Sequence, residues 1–296
     1  MSSVTSSAIP VLPVDSWAAT RETLHMWLQI VGKLRMACTP PINHWWHVTL
    51  TVTARGLGTG AVPYEGRLWD AEFDFISHEL VLRTDDGERT LIALRPMSVA
   101  DFYREVQAAL SQLGLDIRIH ASPNEVADAI PFGDDTVHAS YEADHAQLFW
   151  RQLAYAHRIL SVFRAEYTGK VSPVHFFWGA MDIAVTRFSG REAPPHPGGA
   201  PNCPDWVMRE GYSHELSSAG FWPGGGDEGA FYSYVYPATD RFALAEIPGP
   251  GYFDTGLGEF VLPFEHVRDA ADPDAVVLQF LRATYDVAVR DGRWDA

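Results

Sequence analysis

NHWWHVTLTVTARGL, residues 43–57, follows an amphipathic helix and a turn at Pro40 and Pro41, and its reading decides the fold. Val48, Leu50, Val52 and Ala54 alternate with Thr49, Thr51 and Thr53, the period-two pattern of a half-buried strand. SPVHFFWGAMDIAVTRFSG, residues 172–190, restarts the same plan after a second helix from about residue 145 to Tyr167. His44 precedes Trp45-Trp46, and His175 precedes Phe176-Phe177; the first strand ends on Arg55-Gly56-Leu57, the second on Arg187-Phe188-Ser189-Gly190. Each half closes with another helix, near residues 98–113 and 273–290. The chain therefore reads as α+β, two related helix–antiparallel sheet–helix units made by internal duplication. The spacing is not identical, since His44 to Arg55 is eleven residues and His175 to Arg187 is twelve. A bulge in one copy accounts for the offset; a partly accidental likeness is the other reading.

The first helix, over 17–37, has a cap at Asp15 or Ser16 and an apolar stripe of Trp17, Leu24, Trp27, Leu28, Val31 and Leu34. Arg21, His25, Gln29 and Lys33 recur every fourth residue and so form one line along it. Ala71–Ile76, Leu80–Arg83 and Thr90–Leu94 read as strands, with Asp85-Asp86-Gly87 as a hairpin turn. Ser98-Val99-Ala100-Asp101 opens the next helix with a capping pattern, and Leu115–His120 reads as a short strand. These signals divide the chain into a first repeat at 1–121, a linker at 122–144 and a second repeat at 145–296. The second repeat carries a long loop insertion at 192–229 that lies over the interface, with a helical or irregular piece near 205–218. Ala230–Tyr236 and Gly258–Pro263 follow as strands, and Asp272-Pro273 starts the last helix.

A net charge of −16 argues against a nucleic-acid partner and against an anionic membrane surface. Cys38 and Cys203 are too few for a disulfide framework. No apolar run approaches the ~20 residues of a membrane span, and the first residues lack a signal-peptide pattern. The expected setting is cytoplasmic, with the oligomeric state open. Within the acidic chain, residues 21–60 and 157–191 are each net +3. Positive potential in a cleft between the repeats would draw a small anion.

The chemistry-bearing residues divide into two branches that stay open. In one, His175, His196, His214 and Glu215 hold a divalent metal, Zn or Fe, for hydrolysis or oxygen chemistry. In the other, Lys33, Arg35, Arg55, Arg187 and Arg191 position a carboxylate or phosphate, with His25, Gln29, Trp178 and Tyr212 completing the binding surface. His214, Glu215, His175 and His44 then act as acid or base. Asp182, alone in an apolar strand, orients a histidine or pairs with a cation. Tyr232, Tyr234 and Tyr236, beside Trp45, Trp46 and Trp178, wall a pocket or simply pack. The expected function is a small-molecule enzyme; the competing class is a ligand sensor or carrier using the same cleft.

Several stretches together resemble one bacterial family. They are Leu24-His25 with Gln29 to Lys33, Asn43 to His47, Ala54 to Leu57, Ser172 to Gly179, Thr186 to Arg191, Tyr212 to Glu215 and Phe221 to Gly224. The family is a domain of unknown function, number 5996. The resemblance covers nearly the whole chain and implies a single-family protein. It implies no activity, cofactor or catalytic residue.

Overall fold

Helix α1 (Ala18–Cys38) forms where the apolar stripe predicts it, and Leu24, Trp27, Leu28 and Leu34 on that stripe are all fully buried. The computed structural model describes residues 9–294. After α1 come β1 (Thr51–Val52), β2 (Gly56–Gly58), β3 (Val62–Tyr64), β4 (Arg67–Asp74), β5 (Glu79–Thr84), β6 (Arg89–Ala93) and α2 (Val99–Gln112). The second half holds α3 (Ala143–Ala165), β7 (His175–Phe177), β8 (Asp182–Glu192), α4 (Asp205–Gly211), β9 (His214–Trp222) and β10 (Ala230–Tyr236). It ends with α5 (Asp240–Ala243), β11 (Tyr252–Asp254), β12 (Glu259–Pro263), α6 (Phe264–Arg268) and α7 (Pro273–Gly292). Side-chain caps start two helices where the sequence marks them. Ser98 Oγ accepts from Asp101 N–H at 3.1 Å, and the Asp272 carboxylate accepts from Ala275 N–H at 3.0 Å.

The strands make two antiparallel sheets. The first runs β1-β2-β4-β5-β6, with β3 on β4; the second runs β11-β12-β10-β9-β8-β7. They meet at one seam, where Leu50 and Phe176 exchange backbone hydrogen bonds of 2.9 and 2.8 Å. Both side chains are fully buried there, each worth about 1.5–3 kcal/mol of apolar burial. Helix α3 lies against β1 and β2 on one side of the seam and against β8 and β9 on the other. One hydrophobic cluster therefore runs through both halves. Among the described residues no helix is long and apolar enough to cross a membrane.

Several expectations need correction. His44 and Trp45 sit in a turn with φ of 58° and 60°, so the first strand shrinks to Thr51–Val52. That turn also separates the matched segments. His44 lies outside the sheets while His175 opens β7, and Arg55 occupies the β1–β2 turn while Arg187 lies inside β8. The expected insertion at 192–229 is not one long loop, since it holds helix α4 and a strand of the second sheet. Residues 214–222 form β9, an inner strand between β8 and β10, and only 193–204 remains an irregular strap before α4. Residues 115–120 form no strand. The expected linker lacks helix and strand up to α3 but buries Phe132 and Tyr141, so it is packed against the core.

Candidate functional site

The register of the second sheet separates its two faces. Ile183, Val185, Ala219, Phe221 and Phe231 face the helices and are buried. The opposite, outer face carries Asp182, Ala184, Thr186 and Phe188 from β8, and His214, Leu216, Ser218 and Gly220 from β9. Tyr232, Tyr234 and Tyr236 from β10 and Glu259 from β12 share that face. Its centre is a floor of small side chains, Ala184, Thr186, Ser218 and Gly220, with Thr186 and Ser218 hydroxyls 2.9 Å apart. The tyrosines rise beside it.

The Tyr232 ring lies over Gly220, where any Cβ would overlap its phenol, and the hydroxyl donates to the Asp182 carboxylate. The Tyr212 and Tyr234 hydroxyls are 2.9 Å apart. The strap 193–204 covers them, with the His196 ring 4.7 Å from Tyr212 and 5.3 Å from Tyr236, and Tyr236 donating to Pro194 O at 2.9 Å. Burial raises the Asp182 carboxyl to about 6, although its side chain is only half-buried. Burial first, then the Asp182 charge, raises both Glu259 and Glu125 to about 7. Glu125 stands at the rim with part of its side chain in solvent, but its carboxyl lies against the Gly179 backbone. Among the described residues none of the three carboxyls has an ion-pair partner.

Three residues of the predicted line on α1 brace the segments beside this face. Gln29 is fully buried; its Oε1 accepts from Asn124 N–H at 2.9 Å and its Nε2 donates to Asn124 O at 2.8 Å. His25 Nε2 donates to Gly179 O at 2.8 Å, a direction fixed because a carbonyl only accepts. Lys33, 1% exposed, donates to Asn124 Oδ1, and its ammonium lies 5.8 Å from the Trp178 ring. Burial lowers it to about 8. Asn124 Nδ2 in turn holds Asn202 O of the strap at 2.6 Å. Trp178 donates to Val48 O at 2.8 Å and fills the space over Gly32. A Cβ at Gly32 would overlap the indole, so Gly32→Ala is expected to cost about 2 kcal/mol by overpacking. Denaturant unfolding followed by tryptophan fluorescence checks this, and wild-type stability in the variant would refute it.

At the other end of the face, His44 and His214 converge, with ring centroids 5.5 Å apart. His44 Nδ1–H donates to Gly211 O at 2.9 Å, which leaves Nε2 to accept from the Lys170 ammonium at 2.8 Å. Burial lowers both the His44 imidazole and the Lys170 ammonium, which lies 4.8 Å over Phe188. His175 is 1% exposed and shares the register of Ala184. Thr49 Oγ1 gives its proton to Trp46 O, so His175 Nδ1–H donates to Thr49 Oγ1 at 3.2 Å, and Nε2 is bare and unpartnered. Burial, then the neighbouring Arg35 charge, holds this imidazole down at about 3.

The other predicted residues are engaged elsewhere. Arg55 pairs with Asp74 at 2.5 Å on the first sheet. Arg187 is buried on the helix face, 3.5 Å over Phe163 and bonded to the Phe163 carbonyl. Arg191 and Glu215 pair at 2.6 Å and tie to the end of α7 through Gly292 and Arg293 carbonyls. Glu215 follows His214 on β9 and so points to the opposite face. Arg35 bonds the Thr49 carbonyl. Among the described residues these arginines therefore form no clamp. Among the described residues no group of three or more His, Cys, Asp or Glu could hold a metal ion, so His175, His196, His214 and Glu215 do not form the expected ligand set. Glu125 and Glu259 carry no sequence signal. Asp182 and the alternating tyrosines do, as a lone acid in an apolar strand and a period-two stripe.

A family model described as a family of unknown function (DUF5996) matches residues 9–296, nearly the whole chain, and the chain belongs to that family. No curated protein and no solved structure matches it.

Proposed function

We propose, for this member of that family, that the outer face of the second sheet is the working site of a small-molecule enzyme in which Asp182 exchanges a proton with the substrate. The observation that carries the reading is the Asp182 carboxyl. It is half-buried, bonded by the Tyr232 hydroxyl, and raised to about 6 by desolvation. A half-buried carboxyl near neutrality is suited to both accepting and returning a proton. The Lys170–His44 pair, with its imidazole tautomer fixed, supplies a second polar end to the same face. The cover formed by the strap favours the competing reading, a binding or sensor protein with no turnover. The two helix–sheet–helix halves, paired at Leu50 and Phe176, support descent of the whole from a duplicated unit.

Asp182→Asn separates these readings. An enzyme loses about a hundredfold or more in turnover, the usual contribution of a general acid or base; a sensor loses affinity only. The carboxyl itself is testable without a substrate. The Asp182 carboxyl in the folded state retains its proton to a higher pH than in the unfolded chain. The stability it contributes is therefore complete below the ordinary carboxylate range and is lost as pH rises through about 6. Asp182→Asn should accordingly gain on the wild type by about 2 kcal/mol between mildly acidic and mildly alkaline solution. A pH-independent difference in denaturant unfolding would remove Asp182 from the role.

A further inference from the structure

We propose that the cleft between α5 and α7 binds a small zwitterion, an α-amino acid with an aliphatic side chain, its carboxylate held by Arg241 and Arg290 and its ammonium by Glu246 and Asp291. The cleft has a volume of about 380 Å³, within the range of about 300–1,000 Å³ usual for small-molecule sites. It lies on the helix side of the second sheet, where α7 packs on β9, β10 and β12 and Phe242 of α5 packs on Phe260. The inference therefore stands apart from the reading of Asp182 on the outer face.

Both walls follow from local spacing and anchoring. On α7, Val287, Arg290 and Asp291 stand at i, i+3 and i+4 and so share one face. Val287 is buried and, with Ala245, gives the cleft an apolar surface. Helix α5 is short, and two contacts fix it. Phe242 is buried against Phe253 and Phe260, with ring centroids 6.3 and 5.1 Å away. The Thr239 hydroxyl accepts from Phe242 N–H at 3.2 Å and donates to the Asp291 carboxylate of α7. Arg241, Ala245 and Glu246 are thereby held across the cleft from α7.

Two cations and two anions line this one cleft, yet among the described residues none of the four is in an ion pair. Pairing is available elsewhere on the same helix. Asp274 of α7 pairs with Arg158 at 2.6 Å, and Arg282 of α7 pairs with Glu166 at 2.5 Å. In the cleft, Arg290 spends its Nε on Asp286 O at 3.1 Å, which leaves its terminal nitrogens as donors. Asp291 accepts one bond from Thr239 and has further lone pairs. The opposite charges are thus held farther apart than an ion pair, with room between them. An anion alone would meet the two carboxylates, and a cation alone the two guanidinium groups. A molecule that carries both charges satisfies all four, and the planar fork of arginine matches a carboxylate with two parallel N–H bonds. Ala245 and Val287 suit an aliphatic side chain, and among the described residues the lining adds no polar group for any other kind.

Isothermal titration of the full chain near neutral pH tests the inference with L-leucine as the zwitterion, 4-methylpentanoate as its carboxylate half and isoamylamine as its ammonium half. The expected result is saturable binding of leucine, about tenfold or more tighter than either half. Arg290→Gln and Glu246→Gln should each weaken it about tenfold or more. Both side chains are exposed, so both variants should keep the fold. Arg89→Ala, on the edge strand of the first sheet, should bind as the wild type does. Binding of 4-methylpentanoate as tight as that of leucine, and indifferent to Glu246→Gln, would make this an anion site and overturn the zwitterion. Leucine binding lost in Asp182→Asn but kept in Arg290→Gln and Glu246→Gln would move the ligand to the outer face and overturn the assignment. Failure of leucine to bind overturns it as well, and leaves the reading of Asp182 to its own test by pH.

Discussion

Gln29→Leu is expected to lower the free energy of unfolding by about 3 kcal/mol and to loosen the strap 193–204. Gln29 is fully buried, and both ends of its amide serve the backbone of one residue, Asn124. Leucine fills a similar volume but leaves the Asn124 N–H and C=O unpaired, each at about 1–3 kcal/mol. The effect should spread, because Asn124 is a junction. Its side chain receives Lys33 and holds Asn202 of the strap, and Glu125 N–H donates to Pro201 O at 2.8 Å. Amide hydrogen exchange should therefore accelerate at 124–126 and 199–203 while the first sheet keeps its protection. Gln29→Glu is the sharper control, since a carboxylate still accepts from Asn124 N–H but cannot donate to its carbonyl. Denaturant unfolding that shows a loss under about 1 kcal/mol for Gln29→Leu would mean that the amide pair does not brace the loop.

The same residues show what the sequence discloses and where it stops. The i, i+4 line His25, Gln29, Lys33 is legible because helical periodicity is local, and it does converge on one place. Its role is not legible, because its partners Gly179 and Asn124 are distant in sequence. Residues 214–222 look like loop because Ser217, Ser218 and Gly220 break the usual β-rich composition. Gly220 is small for a packing reason, since the Tyr232 ring lies over it on its way to Asp182. The arginines mislead for a related reason. Charge can be counted along a chain, but Arg187 stacks on Phe163 and Arg191 caps α7, arrangements that depend on the finished fold. Glu125 and Glu259 become unusual only because tertiary packing brings both into the field of Asp182. The α+β class and its antiparallel strands are visible from the sequence, while the expected matching of His44 with His175 fails, because the turn at His44 and Trp45 takes the first segment out of the sheet.

A buried imidazole supplies the other large effect, and its sign can be worked out. His175 has a folded-state pKa of about 3, because burial opposes the charged ring and Arg35 adds its repulsion. In the unfolded chain a histidine titrates near 6.5. Between these values the unfolded state binds a proton that the folded state refuses, so stability is complete above about 6.5 and falls as the solution is acidified. At about 1.4 kcal/mol per pH unit, the loss reaches roughly 3 kcal/mol near pH 4. His25, His44 and His47 are also lowered by burial and act in the same direction, whereas Asp182 acts in the opposite one. Acid titration of the wild type alone would mix these contributions. His175→Asn isolates the one group, because an amide can still donate to Thr49 Oγ1 but takes up no proton. At neutral pH the variant should be the less stable protein, having exchanged a packed ring for a smaller side chain. On acidification the gap should close by roughly 3 kcal/mol, as only the wild type carries the cost of the neutral buried ring. Denaturant unfolding of both proteins across that range measures the gap. A gap that stays constant would show that His175 takes up its proton in the folded state as readily as in the unfolded one, and the bare Nε2 would then have a partner.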